Sequence, residues 1–442
     1  MQPLLQLIHR HKSGEDVGVY SVCSAHPWVL ESAIRFAKQR NSSVLIEATS
    51  NQVNQFGGYT GMLPRDFREM VWKIADRLAF PREKVWLGGD HLGPNAWQNR
   101  CADEAMQLSE TLIYDYVAAG FRKIHLDCSM SCADDPIPLS DDVVASRAAR
   151  LCQVAERSWQ DHGGEAPVYV IGTEVPVPGG AKESMDGLQV TSPEAAKTTL
   201  SIHKNKWQEH GLADVWPRVI ALVVQPGVEF DHHNVEHYQP EKAKALSQFI
   251  ESVPHLVYEA HSTDYQALKA YRQLVRDHFA ILKVGPALTF ALREGLFALD
   301  KLDREWNGER DAAHLHATLE QIMNEQPERW SPYYKGNAHQ QYIDRQYSLS
   351  DRIRYYWAEP EVEKAVAKLL DNLRQNPVPI SMLSQYLPEQ AEAVKVGDLE
   401  NDPKAWVMDK VRSVLLQYAL ACESQSKGAV AWRKYCHIHN HG

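Results

Sequence analysis

At 442 residues the chain exceeds a minimal α/β barrel of about 250 residues, and 44% hydrophobic with 24% charged residues is ordinary for a globular protein with a large core. A formal net charge of −10 supplies no electrostatic footprint for nucleic acid. The absence of a run of about 18 apolar residues or a signal-peptide core argues against a membrane span or secretion, so a soluble cytoplasmic protein is expected.

Eight short runs, rich in β-branched residues, recur along the first 300 residues. Val17 to His26 comes first, followed by a segment of helical spacing from Pro27 to Ala37, then Ser43 to Thr49 and a second helical segment from Asp66 to Leu78. Val85 to His91, a helix from Ala105 to Ala119, Lys123 to Ser129 and a helix from Asp142 to Trp159 continue the alternation. Val168 to Glu174, Val219 to Gln225, Leu256 to His261 and Ala280 to Gly285 complete the set. Interiors such as Val44-Leu45-Ile46 and Ala221-Leu222-Val223-Val224 are apolar throughout, as strands covered on both faces require. Eight βα units predict a (β/α)8 barrel over residues 1–300. A doubly wound open sheet is the alternative, but no Gly-x-Gly-x-x-Gly turn follows any run.

Past Arg293 the texture changes. Glu294 to Met323 reads as helix, Trp330 to Tyr356 is rich in aromatics and Arg, and further helices are predicted from Pro360 to Leu373 and from Pro403 to Cys422. With no Gly/Ser-rich or Pro-rich linker, residues 301–442 are expected to form a helical extension packed on the barrel. The seven cysteines form an odd set without zinc-ribbon spacing and read as reduced thiols.

A closed parallel barrel gathers the C-terminal ends of its strands into one bowl, so the residues there are the candidate site. The third run ends in Gly88-Gly89-Asp90-His91, where two glycines let backbone approach a ligand and an acid stands beside a neutral imidazole suited to a zinc-type ion. The seventh run carries Glu259 and His261, two apart and therefore on one face. Together with His91 they predict a three-ligand site for a divalent metal, zinc first, with an internal ion pair of Glu259 as the alternative. Rim acids Glu47, Asp127 and Glu174 repel one another, which favours proton-transfer or metal roles; Asp90, Asp127 and Glu174 are the candidate catalytic acids, and Glu47 a substrate contact. Phosphate is expected at Ser262 and Thr263 and at Gly285 and Thr289, where strand eight opens into a helix. Arg352 and Arg354 are candidate reinforcements, with a structural Arg pair as the alternative.

Several stretches are similar to the GatZ/KbaZ family: Leu45-Ile46-Glu47-Ala48-Thr49-Ser50-Asn51-Gln52, Gly88-Gly89-Asp90-His91-Leu92-Gly93-Pro94-Asn95, His125-Leu126-Asp127-Cys128-Ser129-Met130, Glu259-Ala260-His261-Ser262-Thr263-Asp264 and Lys283-Val284-Gly285-Pro286. The resemblance runs from about residue 4 to about 422. It implies a subunit of the class II D-tagatose-1,6-bisphosphate aldolase, acting in galactitol or N-acetylgalactosamine catabolism as the auxiliary partner of a separate catalytic aldolase subunit. In catalytic class II aldolases a strand-end Asp-His pair supplies the proton-transferring acid and a zinc ligand, and Asp90-His91 looks like that pair. The other two ligands there are histidines, whereas strand six here presents Gln225 and strand seven Glu259 with His261. Some relatives are described as ketose 4-epimerases. Two readings stand: an auxiliary subunit, and a metal-dependent enzyme on a ketohexose or its sugar phosphate. Kinase chemistry is disfavoured, since no Walker-type run is present.

Overall fold

The computed structural model describes residues 2–173 and 188–423. Eight parallel strands close into a barrel: β1 (Val19–Val22), β2 (Val44–Thr49), β3 (Val85–Leu92), β4 (Lys123–Leu126), β5 (Val168–Gly172), β6 (Val219–Val223), β7 (Val257–Ala260) and β8 (Ile281–Val284). Each pairs with its sequence neighbours, and β8 closes on β1 through Val19 opposite Ile281 and Val22 opposite Val284. The strands stop short of several predicted ends, so the polar residues that close those runs stand just beyond the ladder, whereas β3 runs on through Asp90 and His91 to Leu92.

Helix α1 (Gln2–Lys12) plugs the N-terminal end of the barrel, where Leu4 and Ile8 pack beneath Val168, Val170 and Ile220. The outer ring comprises α2 (Pro27–Gln39), α3 (Pro64–Arg77), α4 (Ala102–Ala118), α5 (Asp141–His162), α6 (Pro193–Glu209), α7 (Pro240–Glu251), α8 (Leu268–Arg276) and α9 (Pro286–Asn307). Their starts follow capping chemistry: Ser140 accepts from the Val143 amide of α5 and Ser192 from the Ala195 amide of α6, while Pro opens α2, α3, α6, α7 and α9.

The helix expected over residues 294–323 is two helices. α9 begins earlier, at Pro286, and ends where Gly308 takes a left-handed φ of 82°; α10 (Leu315–Glu325) then starts afresh. Two acids inside α9 pin the turn, Asp303 accepting from the Ala313 amide and Asp300 from the Leu315 amide, both at 2.7 Å. The extension continues through α11 (Ala338–Tyr347), α12 (Pro360–Gln375), α13 (Ile380–Tyr386) and α14 (Pro388–Lys395). α15 (Pro403–Cys422) returns to the barrel against α2, α8 and α9, with Gly295 of α9 admitting the backbone of Val407. Six cysteines among the described residues are unpaired thiols. No helix of these residues is long and apolar enough to cross a membrane.

Candidate active site

Strand alternation sends Lys123 on β4 and, beyond it, His125 and Asp127 toward the barrel interior, and does the same for Glu259 and His261 at β7. β3 departs from regularity. Its register against β4 shifts between Gly89 and Leu92, and His91 sits at φ 49°, a left-handed conformation rare outside glycine. In a regular strand Asp90 and His91 would point to opposite faces; the bulge brings both to one site.

Four groups converge there. One ligand atom each from Asp90, His91, His125 and His261 lies within 4.8 Å of the others, and all four residues are buried. The imidazoles form a near-equilateral triangle, with centroids 5.0 Å apart for His91–His125, 4.9 Å for His91–His261 and 5.4 Å for His125–His261. Two of the rings are held by buried carboxylates. His91 Nδ1 lies 2.7 Å from Asp127 Oδ2, and His261 Nε2 lies 2.8 Å from Glu259 Oε1. A ring that donates from one nitrogen carries its lone pair on the other, so His91 offers Nε2 and His261 offers Nδ1. His125 faces the Gly172 carbonyl through Nε2 at 2.8 Å, and its Nδ1 accepts the His91 amide at 3.2 Å. That same Nδ1 lies 3.0 Å from Asp90 Oδ1, two acceptors facing each other, a contact that a cation or a proton stabilises.

Beneath this cluster lies a buried lattice of charge. Lys123 Nζ is 2.7 Å from both Glu47 and Glu259, and Lys283 Nζ bridges Glu47 and, at 3.1 Å, Asp90. Gly88 makes room for it, because a Cβ there would stand 2.7 Å from the Glu47 side chain. Burial alone would raise the Asp90 carboxyl, but Lys283, His91 and His125 hold it well below the usual carboxylate range. Glu259 is likewise held low by Lys123, Lys283 and His261 against its burial, and Asp127 by His91 and Ser129. Lys283 is raised well above the ordinary lysine value by its carboxylates in spite of burial, and His91 is raised by Asp90 and Asp127. Four carboxylates, Glu47, Asp90, Asp127 and Glu259, thus face two ammonium groups and three imidazole rings. Three imidazoles and a carboxylate fit a divalent ion.

The site opens into a cavity of about 650 Å³. Asp90, His91, His261 and Lys283 line its floor; Tyr59, Arg354, Tyr355 and Trp357 contribute to its walls.

The expected residues separate into groups. Asp90, His91 and His261 meet at the floor. Glu259, expected as a ligand, is not one of the four converging groups: its oxygens are engaged by Lys123 and His261, the internal ion pair weighed as the alternative. Glu47, expected at the rim, is fully buried beneath the floor for the same reason. Asp127 acts on His91 from behind the cavity. Glu174 lies outside the described residues. Of the residues expected to meet phosphate, Ser262, Gly285, Thr289 and Arg354 line the cavity. Thr263 does not; it is fully buried and donates to the Lys283 carbonyl at 2.6 Å. Arg352 is structural, stacked over Tyr333 at 3.4 Å and bonded to the Arg329 carbonyl. His125, Lys123 and Lys283 are central, and sequence reasoning assigned them no role; the signal was alternation, which puts 123, 125 and 127 on one face.

Among solved structures, a probable tagatose 6 phosphate kinase from Sinorhizobium meliloti 1021 is similar over 92% of this chain and all of its own, at 46% identity and a TM-score of 0.84. Two aldolases superpose loosely. The YdjI aldolase of Escherichia coli K12 is 11% identical over 83% of this chain and 94% of its own, with a TM-score of 0.42. A fructose-bisphosphate aldolase of Campylobacter jejuni is 14% identical over 84% and 91%, with a TM-score of 0.44. The family described as D-tagatose-1,6-bisphosphate aldolase subunit GatZ/KbaZ-like matches residues 4–423, and the chain belongs to it.

Proposed function

We propose that this chain is itself an enzyme, one that opens and re-forms a carbon–carbon bond of a ketohexose or its phosphate ester, and so acts as a 4-epimerase or an aldolase. The observation that carries this reading is the convergence of Asp90, His91 and His261 on the floor of a cavity, with His125 beside them and a buried lattice of carboxylates and lysines beneath. An outer surface patch is enough to hold a partner subunit; a buried cluster of this kind does nothing for docking.

His91 and His261, with His125 once its Nδ1 gives up the His91 amide, would hold a divalent ion, zinc by donor preference, which would polarise a carbonyl or hydroxyl oxygen of the sugar. Asp90, ionised and at the cavity floor, is placed to take the proton of the C4 hydroxyl. The C3–C4 electron pair then stays on the three-carbon ene-diolate while C4 becomes an aldehyde. Lys283, fully charged and beside Asp90, sets a positive potential against that developing negative charge. Return of the electron pair to the other face of the aldehyde, with the proton handed back from Asp90 to the C4 oxygen, inverts C4; delivery of that proton to C3 of the ene-diolate instead, followed by release of the two fragments, is aldol cleavage. Asp127 and Glu259 orient the rings of His91 and His261 throughout.

The family description supports a second reading, an auxiliary subunit that raises the activity of a catalytic class II aldolase subunit. Incubation of the isolated chain with divalent metal on fructose, tagatose and their phosphates separates the two. Turnover that disappears in Asp90→Asn is the expected result. No turnover alone, with stimulation of an added catalytic aldolase subunit, contradicts it.

A further inference from the structure

The helical extension, not the barrel, gathers three guanidinium groups around one phenol. The guanidinium carbon of Arg354 stands 4.5 Å from the centroid of the Tyr355 ring, that of Arg352 5.1 Å and that of Arg329 5.7 Å. Arg329 also lies 5.8 Å from the ring of Tyr59, a residue of the loop after β2, and the two phenol rings meet edge to face at 4.8 Å. Tyr59, Arg354 and Tyr355 line the cavity that has Asp90, His91 and His261 at its floor.

Like charges this close repel, and among the described residues none of the three guanidinium groups is paired with a carboxylate. Arg352 donates to the Arg329 carbonyl. Arg354 donates through Nη1 to the carbonyls of Ser350 and Asp351 and through Nη2 to the Tyr355 hydroxyl at 2.9 Å. The Asp351 carboxylate is taken by Arg293 and Thr289. Carbonyl dipoles orient these groups without neutralising them. A guanidinium carries five N–H donors, so Arg354 keeps its Nε–H and one Nη2 N–H, the edge that meets two oxygens of an anion in parallel. The field there favours negative charge: burial alone would raise the Tyr355 hydroxyl, yet Arg354, Arg352 and Arg329 hold it below the ordinary phenol value. Tyr59, pushed up to about 12 by burial and by Tyr355, keeps its proton and remains a donor.

We propose that Arg354, Tyr59 and Tyr355 form an anion subsite on the cavity wall, which receives a terminal phosphoryl group of a ketose phosphate while the carbon chain reaches the floor. A chain of net charge −10 has to meet such a group with a local cluster of donors, and here the extension supplies most of it. Recognition is thus divided: the floor acts on the reacting carbons, and the extension selects the ester over the free sugar. The inference rests on the cavity being the sugar site proposed above.

Calorimetric titration of the full chain near neutral pH with D-tagatose, D-tagatose 6-phosphate and inorganic phosphate tests it. Wild type binds the ester at least about tenfold more tightly than the free sugar, and inorganic phosphate competes with the ester. Arg354→Gln lowers the ratio of ester to free-sugar affinity by about tenfold. Because Arg354 also ties down the Ser350 and Asp351 carbonyls, Tyr355→Phe is measured beside it; this change keeps the ring, removes the hydroxyl and lowers the ratio by about threefold. Equal affinities for ester and free sugar in wild type, or a ratio unmoved in a folded Tyr355→Phe or Arg354→Gln chain, overturns the proposal. So does inorganic phosphate that binds without competing with the ester, since the anion is then held elsewhere. An ester preference that these substitutions abolish, in a chain without turnover, sinks the catalytic reading alone; turnover of the ester indifferent to both substitutions sinks this one alone.

Discussion

Asp127 accepts the Nδ1–H of His91 at 2.7 Å and thereby decides which nitrogen of that ring faces the cavity. Carboxylates in this position typically strengthen metal affinity by about 10–100-fold through orientation and basicity. Asp127→Asn is expected to lose metal affinity in that range, measured by competition with a chelating dye, while the far-ultraviolet circular dichroism stays that of wild type. An unchanged affinity would separate Asp127 from any metal role.

Protons compete with the ion. Burial opposes charge on His91, but Asp90 and Asp127 raise its pKa above the ordinary histidine value, so without metal the ring is protonated at a higher pH than a free histidine. An imidazolium cannot ligate. Metal affinity should therefore fall as pH drops through that raised value, by about tenfold per pH unit for each proton displaced. Titrations in buffers of differing ionisation enthalpy, at about pH 6 and about pH 8, measure the protons released; a pH-independent affinity contradicts the assignment.

Lys123 is the ammonium that separates Glu47 from Glu259, and all three side chains are fully buried. Lys123→Met leaves two buried carboxylates without their shared partner, which should cost about 3–5 kcal/mol of stability in chemical denaturation. The companion change Gly93→Ala acts on backbone: its Cβ would stand 1.8 Å from the Asp127 carbonyl oxygen, so the rim of β3 cannot lie against the segment after β4. That variant should be poorly soluble or unable to bind metal. A soluble Gly93→Ala chain with wild-type melting and metal affinity contradicts this packing.

Asp264 adds a pH dependence of its own. Its folded carboxyl is pushed up by burial from 3.8 to about 6, so between those values the folded chain holds a proton that the unfolded chain has released. Stability from this group is present below the unfolded value and is lost as pH rises through about 6, by up to about 3 kcal/mol. Asp264→Asn removes the loss. Its melting temperature relative to wild type should be higher at pH 8 than at pH 5, and equal differences at both pH values would contradict the burial of a charged group.

The barrel was legible because eight apolar runs alternate with helical spacing, and burial of parallel strands on both faces writes that pattern directly into composition. Asp90, His91 and His261 were legible as strand-end residues for the same reason. The fate of Glu259 was not. Its partner Lys123 is far away in sequence, and only the closure of the barrel makes β4 and β7 face each other across the interior. Alternation places His125 on one face with Asp127, but its meeting with His91 was hidden by an assumption of regular strands: the cluster needs the bulge in β3, and a left-handed His91 leaves no mark that distinguishes it from any other histidine. The break at Gly308 was likewise obscured, since the helical spacing resumes within a turn.

The most direct test is anomalous diffraction from crystals of the chain grown with zinc or manganese. A single strong peak bounded by His91, His125 and His261, with Asp90 beside it, is the expected result, and it should vanish in His125→Ala crystals. A map without density among those three rings, or with the ion held elsewhere in the molecule, would contradict the account at its centre.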